Sequence, residues 1–330
     1  MPTTMRAIVL PHPVSPDQLT VSDIPVPDVR PGWVRIRVKA FGVNESEVTS
    51  RKGESDPDFT FPRILGIEGV GIIDAAPAGS GLKPGQKVAT MMGGMGRAFD
   101  GSYAEYTLVP AGQVIPFETD LPWETVGALP EMFQTAYGSL TTGCDLKPGQ
   151  TLLIRGGTST VGLSAAALAK DMGATVLSTT RRPDRIEVLR EHGADHPLVD
   201  DGKLADRVRE LCPDGADAAL ELVGGPALPD TLRTVRRGGM VCFIGSLSGE
   251  WIIPDFSPFA VIPSGVRLTV YDGGATDLPP AVFDHQLRAI AEGRLKPAVA
   301  KVYHGLDQVP QAHIDLEAGD TPGKHVVVLD

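Results

Sequence analysis

The chain has 330 residues, of which 42% are hydrophobic and 22% are charged, an ordinary composition for a soluble globular protein. This length is long for a single hydrophobic core and indicates two domains. The net charge of −11 argues against a nucleic acid or an anionic membrane as partner, since both require a basic face. No signal-like segment or bilayer-spanning apolar run occurs, and the three scattered cysteines indicate neither a disulfide framework nor a cysteine zinc site. A cytoplasmic location is expected.

The first third of the chain is predicted to be all-β. The segment WVRIRVKA, residues 33–40, alternates apolar and basic residues, as a strand with one buried face does. Turns such as RPGW and KPGQ separate it from other β-rich runs, which occur at residues 6–10, 19–24, 69–75, 87–92 and 103–109. Many short strands joined by such turns predict a small barrel.

From about residue 120 the pattern changes to alternating strands and helices. TLLIRGG is a short buried strand, and the helix predicted from Thr160 to Met172 has apolar residues at helical spacing. ATVLSTT, DAALELVGG and GGMVCFIGS are further strands, with helices predicted in PDRIEVLREHG and near residues 226–236. This βαβ order predicts a parallel, doubly wound sheet. Residues 278–330 are predicted to mix two helices with the strands AKVYHG and KHVVVLD.

A glycine-rich turn, RGGTSTVG at residues 155–162, follows the first of these strands and opens a helix. Backbone N–H groups at a helix N-terminus, aided by the helix dipole, bind a dinucleotide's phosphates in such a context. Serine replaces the expected central glycine, which keeps the N–H group and adds a hydroxyl donor. The alternative is a plain β–α turn. The predicted phosphate-binding residues are Gly156, Gly157, Thr158, Ser159, Thr160, Val161 and Gly162.

The end of the next strand indicates which dinucleotide binds. An NAD site places a carboxylate there for the ribose 2′-OH, but this strand ends at Thr180 and is followed by Arg181, Arg182 and Arg185. Hydroxyl and guanidinium groups would bind a 2′-phosphate that a carboxylate would repel. The sequence therefore favours NADPH over NADH. The alternative is that these arginines form a solvated helix start.

Several further motifs resemble those of the zinc-independent quinone oxidoreductase branch of the medium-chain dehydrogenase/reductase superfamily. AFGVNESEVTSRKG resembles its G-V-N signature through Asn44, Arg51 and Gly53, with Glu47 in place of an aspartate. FPRILGIEGVG, GSYAEYTLVP, FQTAYGSL and the closing GKHVV are similar to other family segments. The resemblance covers nearly the whole chain.

The resemblance implies a GroES-like β-barrel domain with an inserted Rossmann domain. On this basis residues 1–120 would form the GroES-like substrate domain, residues 121–265 the NADPH-binding Rossmann domain, and residues 266–330 a return segment completing the substrate domain. The family usually pairs its Rossmann domains edge to edge. A homodimer is therefore expected, with VRLTVYDG as the candidate strand at the interface.

The chain lacks the residues that zinc-dependent relatives use. Those relatives place cysteine near the position of Asn44 and histidine immediately before Glu68, where this chain has Ile67. The four-cysteine lobe is also missing, and the one pair of histidines four residues apart, His192 and His196, straddles a predicted helix end and is expected to pack at the surface. No metal is expected. Glu68 is then expected to be structural, pairing with Arg51 or Lys324.

Without zinc to activate an alcohol, hydride transfer from NADPH to a quinone or an α,β-unsaturated carbonyl is the expected reaction. By resemblance, Asn44, as the candidate catalytic residue, and Thr135 would contact the nicotinamide half and position the substrate. Val223 and residues Ile244, Gly245 and Ser246 would line the same end of the crevice. No general acid is evident. Glu131 either lies beside the nicotinamide site or is a solvent-facing carboxylate at a helix start.

Two other functions remain open on sequence grounds. A 2-enoyl-thioester reductase would use the same hydride step, although the net charge of −11 gives no support for a basic CoA groove. A cofactor-binding structural or sensor protein without turnover would explain the missing acid and metal.

Overall fold

The computed structural model describes residues 3–330, which divide into two compact units. The first unit takes the chain up to residue 131 together with residues 274–291 and 298–330, and the second takes residues 132–273 and 292–297. The second unit is therefore inserted into the first.

Strands and helices alternate in the second unit, whereas strands dominate the first. The strands are β1 (Thr4–Leu10), β2 (Val21–Pro25), β3 (Trp33–Val43), β4 (Arg63–Ile64), β5 (Glu68–Ala75), β6 (Lys87–Met91), β7 (Tyr106–Pro110), β8 (Val114–Pro116), β9 (Thr151–Arg155), β10 (Thr175–Thr180), β11 (His196–Val199), β12 (Ala216–Glu221), β13 (Val235–Phe243), β14 (Arg267–Val270), β15 (Val299–His304) and β16 (Lys324–Val328). The α-helices are α1 (Glu45–Lys52), α2 (Trp123–Val126), α3 (Leu129–Gly138), α4 (Thr160–Asp171), α5 (Ile186–Glu191), α6 (Leu204–Leu211), α7 (Leu228–Thr234), α8 (Pro258–Val261), α9 (Pro280–Ala291) and α10 (Val309–Ala318).

The first unit is built around the long strand β3. Its alternating sequence places Val34, Ile36 and Val38 in the core while Arg37 is exposed. β3 pairs antiparallel with β5, with β7 along residues 33–37 and with β16 along residues 40–43. The sheet order is β15-β16-β3-β5-β6-β8, and β2, β1 and β4 form a second, three-stranded sheet. The C-terminal strand β16 thus lies inside the main sheet of this unit.

The second unit contains a six-stranded sheet in the order β11-β10-β9-β12-β13-β14. All neighbouring pairs are parallel, so the predicted doubly wound arrangement is confirmed. Leu153, Leu177, Ala219 and Val241 from successive strands are all fully buried and belong to one core. The carboxyl ends of these parallel strands meet at one edge of the sheet, which is where such sheets bind ligands.

The compact units divide at 131/132 and 273/274, whereas the predicted boundaries are 120/121 and 265/266. The strand in VRLTVYDG, assigned from sequence to the return segment, is β14 and pairs with β13 at residues 240–243. It therefore belongs to the second unit, because its backbone hydrogen bonds are made there. The first division falls within α3, so a change in sequence pattern near residue 120 does not mark it.

Candidate functional site

The glycine turn between β9 and α4 has the close packing that a dinucleotide site requires. Gly156 has a φ of +88°, which residues with a side chain rarely adopt. A Cβ at Gly157 would lie 1.9 Å from Ser178 Oγ, and one at Gly162 would lie 2.6 Å from Gly156 O. These glycines let the turn, the strand and the first helical turn approach one another.

Ser159 is the N-cap of α4, and its hydroxyl is used within the turn. Ser159 Oγ accepts a hydrogen bond from the Gly162 amide at 3.1 Å and donates to Gly156 O at 2.8 Å. The hydroxyl therefore rigidifies the turn, whereas the sequence analysis expected it to serve as a donor to phosphate. The amides of Thr160 and Val161 precede the helix's own hydrogen-bond ladder and are the donors that α4 offers to an anion.

A cavity of about 100 Å³ lies beside this turn in the second unit. It is lined by Gly156, Thr158, Thr179, Thr180, Arg181, Asp200, Val223, Leu247 and Ser248. Four of these residues were not predicted from the sequence, namely Thr179, Asp200, Leu247 and Ser248. Each of them lies at or just after the carboxyl end of β10, β11 or β13, and that position is the signal that could have found them. A more open groove of about 480 Å³ in the first unit, between Arg6 and Asp23, has no such turn.

The three arginines after β10 have different surroundings. Arg181 is exposed, lines the cavity and makes no ion pair with any residue in 3–330. Arg182 pairs with Asp184 at 2.7 Å, and this contact holds the pKa of Asp184 below its usual value. Arg185 is half-buried and precedes α5. Among the three, Arg181 is the side chain available to an anion in the cavity.

The segment after β12 is held by the side-chain carboxylate of Glu221. The Val223 and Gly224 amides both donate to Glu221 Oε1, at 2.6 and 3.0 Å. Val223 lines the cavity, whereas Ile244, Gly245 and Ser246 do not, although Leu247 and Ser248 directly after them do. Ser246 Oγ is buried and has no hydrogen-bond partner within residues 3–330. A polar ligand at this edge could satisfy it.

Thr135 lies in the second unit, on α3. It is half-buried, and its hydroxyl donates to Gln134 Oε1 at 3.3 Å. Gln134 in turn donates to the Tyr271 hydroxyl at 2.8 Å. Thr135 does not line the cavity beside the glycine turn.

Asn44 lies in the first unit as the N-cap of α1 and is 9% exposed. Its side-chain Nδ2 donates to Glu47 Oε1 at 3.3 Å and to Glu68 Oε1 at 3.1 Å, and its backbone amide donates to Glu47 Oε2 at 3.1 Å. Its Oδ1 accepts from Lys324 Nζ. Both amide hydrogens of the side chain are thus used inside the unit, and only acceptor capacity on Oδ1 remains for a ligand.

Lys324 is the centre of this buried cluster. It is 2% exposed, and its ammonium lies 2.9 Å from Glu68 Oε1 and 2.7 Å from Glu131 Oε2. Burial opposes its charge, but the two carboxylates outweigh burial and raise the pKa of Lys324. Burial also raises the pKa of Glu68, and it raises the pKa of Glu47 to about 7. One ammonium thus joins two carboxylates, Glu68 and Glu131, and the amide oxygen of Asn44, which come from separate parts of the sequence.

These contacts show which residue pairs with Glu68 and whether Glu131 faces solvent, two points that the sequence left open. Glu68 pairs with Lys324, whereas Arg51 pairs with Glu317 at 2.5 Å. Glu131 does not face solvent as a simple helix-start carboxylate, since its side chain is 13% exposed and paired with Lys324. Its backbone amide donates to Glu68 Oε2 at 2.8 Å. The helix start is therefore tied into the cluster.

The positions that hold zinc ligands in zinc-dependent relatives carry no such ligands here. Ile67 is buried, and its amide donates to Glu47 at 2.9 Å. Within residues 3–330, no three His, Cys, Asp or Glu side chains are grouped so that they could hold a metal ion. The same part of the chain contains no helix with the length and apolar character needed to cross a membrane.

Comparisons with known proteins find a matching family model for each of two parts of the chain. A family model described as an alcohol dehydrogenase GroES-like domain matches residues 30–119, and one described as a zinc-binding dehydrogenase matches residues 160–287. A probable quinone oxidoreductase from Leishmania amazonensis is 30% identical over 318 residues, covering 92% of this chain and 90% of that protein.

Solved structures extend the likeness to the whole chain. The protein AibC superimposes with a TM-score of 0.89 at 28% identity, covering 99% of this chain and 96% of that one. A mycobacterial protein complexed with NADPH gives a TM-score of 0.83 at 26% identity, with coverage of 98% and 99%. These matches confirm the predicted fold class, a GroES-like domain with an inserted Rossmann-type sheet.

Proposed function

Because this chain belongs to the quinone oxidoreductase branch of the medium-chain dehydrogenase/reductase superfamily, and is accordingly an NAD(P)-dependent oxidoreductase, we propose that it reduces a quinone or an α,β-unsaturated carbonyl with NADPH and without zinc. Bound NADPH would supply the hydride. The protein's own contribution would be to bind both reactants, orient them and exclude water.

One observation carries the choice of NADPH. Arg181 lines the cavity beside the glycine turn without an ion-pair partner in the described chain, and Thr180 lies next to it. A guanidinium free to form a fork with a phosphate would favour the cofactor that has a 2′-phosphate. The residues at the turn fit the rest of the cofactor, because the glycines allow the strand, the turn and the helix to pack closely and the amides of Thr160 and Val161 are left at the helix N-terminus, where a pyrophosphate would bind.

The other residues predicted from the sequence would line the rest of the site. Asn44 and Thr135 would contact the nicotinamide half, and Asn44 would do so as an acceptor, since its amide hydrogens are bound by Glu47 and Glu68. Val223 and residues 244–246 would form the wall at the carboxyl ends of β12 and β13. Lys324 supports zinc independence, because its ammonium already neutralises the carboxylates near Asn44 and Ile67.

The binding experiment compares the dissociation constants of NADPH and NADH for the wild-type protein and for Arg181→Asp. Wild type is expected to bind NADPH at least about tenfold more tightly, a difference of about 1.4 kcal/mol. The variant should lose this preference while its affinity for NADH changes little. Arg182→Asp is the matched control, since Arg182 is already paired with Asp184. Equal wild-type affinities, or equal effects of the two substitutions, would contradict the assignment.

The activity experiment follows NADPH consumption with quinones, enones and enoyl thioesters, together with metal analysis of the purified protein. Turnover of quinones or enones without stoichiometric zinc is expected. Turnover of enoyl thioesters alone would favour the second enzyme function. Tight NADPH binding with no turnover of any acceptor would favour a structural or sensor role.

A homodimer in the cytoplasm is part of the proposal. The strand β14 ends one side of the six-stranded sheet, and its Val270 is 73% exposed. Trp251, Ile252 and Phe259, in the segment that leads to β14, are also exposed. A second copy could cover this apolar edge by pairing β14 with its equivalent. Light scattering should give twice the mass of one chain, and Val270→Lys should lower it.

A further inference from the structure

An acidic residue, Asp200, lines the same cavity as Arg181. Asp200 follows β11, and its amide donates to Thr180 O at 2.8 Å, which places it beside the residues proposed to bind the 2′-phosphate. A carboxylate at this position would repel a phosphate and attract a ribose 2′-hydroxyl. Its presence in a site proposed for NADPH therefore requires a compensating charge.

Arg155 supplies that charge. It is the last residue of β9, its side chain is 3% exposed, and its Nε and Nη2 donate to the two oxygens of Asp200 at 2.8 and 3.0 Å. The Gly202 amide also donates to Asp200 Oδ1, at 2.8 Å. Three donors thus occupy the carboxylate, and the Asp200 side chain is only 7% exposed.

The guanidinium is itself held from the opposite side. Arg155 Nη1 donates to Asp230 Oδ2 at 2.9 Å, to Thr231 Oγ1 at 3.1 Å and to Ala227 O at 3.1 Å. All these partners belong to α7 or to the residue before it. The fork between Arg155 and Asp200 therefore has a fixed orientation, and Asp200 cannot turn toward the cavity without losing two charge-assisted hydrogen bonds.

We propose that Arg155 is a positioning residue that determines cofactor specificity by holding the Asp200 carboxylate away from the 2′-position of the bound dinucleotide. The inference rests on the proposed binding of NADPH at this cavity. The two arginines would favour NADPH in different ways. Arg181 would attract the 2′-phosphate directly, whereas Arg155 would remove the repulsion between Asp200 and that phosphate. Without Arg155, Asp200 would disfavour NADPH and would accept a hydrogen bond from the 2′-hydroxyl of NADH.

The test is a double-mutant cycle read as the ratio of the NADH and NADPH dissociation constants, measured by titration of the purified full chain without any acceptor. Arg155→Gln is expected to shift this ratio toward NADH by at least about tenfold, or about 1.4 kcal/mol. In the Asp200→Asn background the same substitution should change the ratio by less than about twofold, because the carboxylate to be masked is gone. Arg155→Lys keeps the positive charge but not the fork, and it should shift the ratio in the same direction by less.

A purely structural Arg155 would weaken both cofactors equally and leave the ratio unchanged, which would overturn the inference. An equally large shift in the Asp200→Asn background would overturn it as well. If Arg155→Gln does not fold, Arg155→Lys with and without Asp200→Asn makes the same comparison. Arg236→Gln is the control, since Arg236 binds Asp217 at 2.7 Å in the same unit and neither residue lines the cavity. The wild-type ratio tests the NADPH preference separately, so the failure of one claim is distinguishable from the failure of the other.

Discussion

Replacement of Lys324 by methionine tests whether the buried cluster depends on its single ammonium. Methionine retains an unbranched apolar stem but cannot neutralise Glu68, which is fully buried, or Glu131. Removal of one partner from a buried ion pair leaves an uncompensated charge and costs about 3–5 kcal/mol. We expect a loss of this size at pH 8.

The loss should depend on pH in a defined direction. Burial already raises the pKa of Glu68 above its ordinary value of 4.5, and the positive charge of Lys324 is the largest of the influences that oppose this rise. Without Lys324 the folded protein would therefore bind more protons than the unfolded chain above pH 4.5, and its stability would fall as the pH rises. At pH 5 a larger fraction of the Glu68 carboxyl groups is neutral, because the pKa of Glu68 is raised, so the variant should recover part of the loss.

Urea unfolding of the wild-type protein and the variant at pH 5 and pH 8, followed by fluorescence, measures both effects, because Trp33 and Trp123 lie in the first unit. Lys296→Met is the control. Lys296 forms a 2.6 Å pair with Glu191 in which both side chains are more than half exposed, and its loss should cost no more than about 1 kcal/mol. A loss below about 1 kcal/mol for Lys324→Met at pH 8, or an equal loss at both pH values, would refute the reasoning.

Two other substitutions test features of the fold. His313 is fully buried, and burial lowers its pKa to about 3 from an ordinary value of 6.5. The unfolded chain therefore binds more protons than the folded protein between pH 3 and pH 6.5, and the free energy of unfolding of the wild type should fall by up to about 5 kcal/mol as the pH drops through this range. His313→Gln should make the free energy of unfolding less dependent on pH in this range. The control is His12→Gln, since His12 is exposed. Gly157→Ala should abolish dinucleotide binding, because its Cβ would lie 1.9 Å from Ser178 Oγ. Addition of Ser178→Ala removes that oxygen and should restore part of the binding. Gly112→Ala is the control and should leave binding unchanged, because a Cβ there would have no atom within 4 Å. Identical thermal and binding curves for Gly157→Ala and Gly112→Ala would contradict this account.

Local patterns predicted most of the regular structure. The alternation in WVRIRVKA, the glycine turn and the helix after it lie where the sequence indicated, because each depends on neighbouring residues alone. α1 was not predicted, since ESEVTSRK has a single apolar residue, Val48, and no stripe. Its start is marked instead by Asn44 and Glu47, which stand at the N-cap and N3 positions of a capping box, and the Glu47 side chain accepts a hydrogen bond from the Asn44 backbone amide. β11 was also missed, because Pro197 lies within a short run of residues.

The parts of the candidate site that lie in one short segment could be predicted from the sequence, whereas contacts between residues far apart in the sequence could not. The turn from Gly156 to Gly162 and the arginine at 181 can be recognised in two short segments. The partnership of Arg155 with Asp200 joins residues 45 positions apart, and β10 lies between their strands in the sheet. The link between Lys324 and Glu68 spans 256 positions. Such pairs depend on strand order, which a single sequence specifies only through the whole fold.

The place of β16 in its sheet has a consequence for biosynthesis. This strand lies between β15 and β3, and it brings Lys324 to carboxylates synthesised 193 and 256 residues earlier. The nascent chain can complete the parallel sheet of the second unit on the ribosome, whereas the first unit has to wait for its final strand to emerge. Until then the edge of β3 is unpaired and Glu68 and Glu131 lack their counter-ion, so the N-terminal segment is the part that a holdase chaperone would be expected to bind.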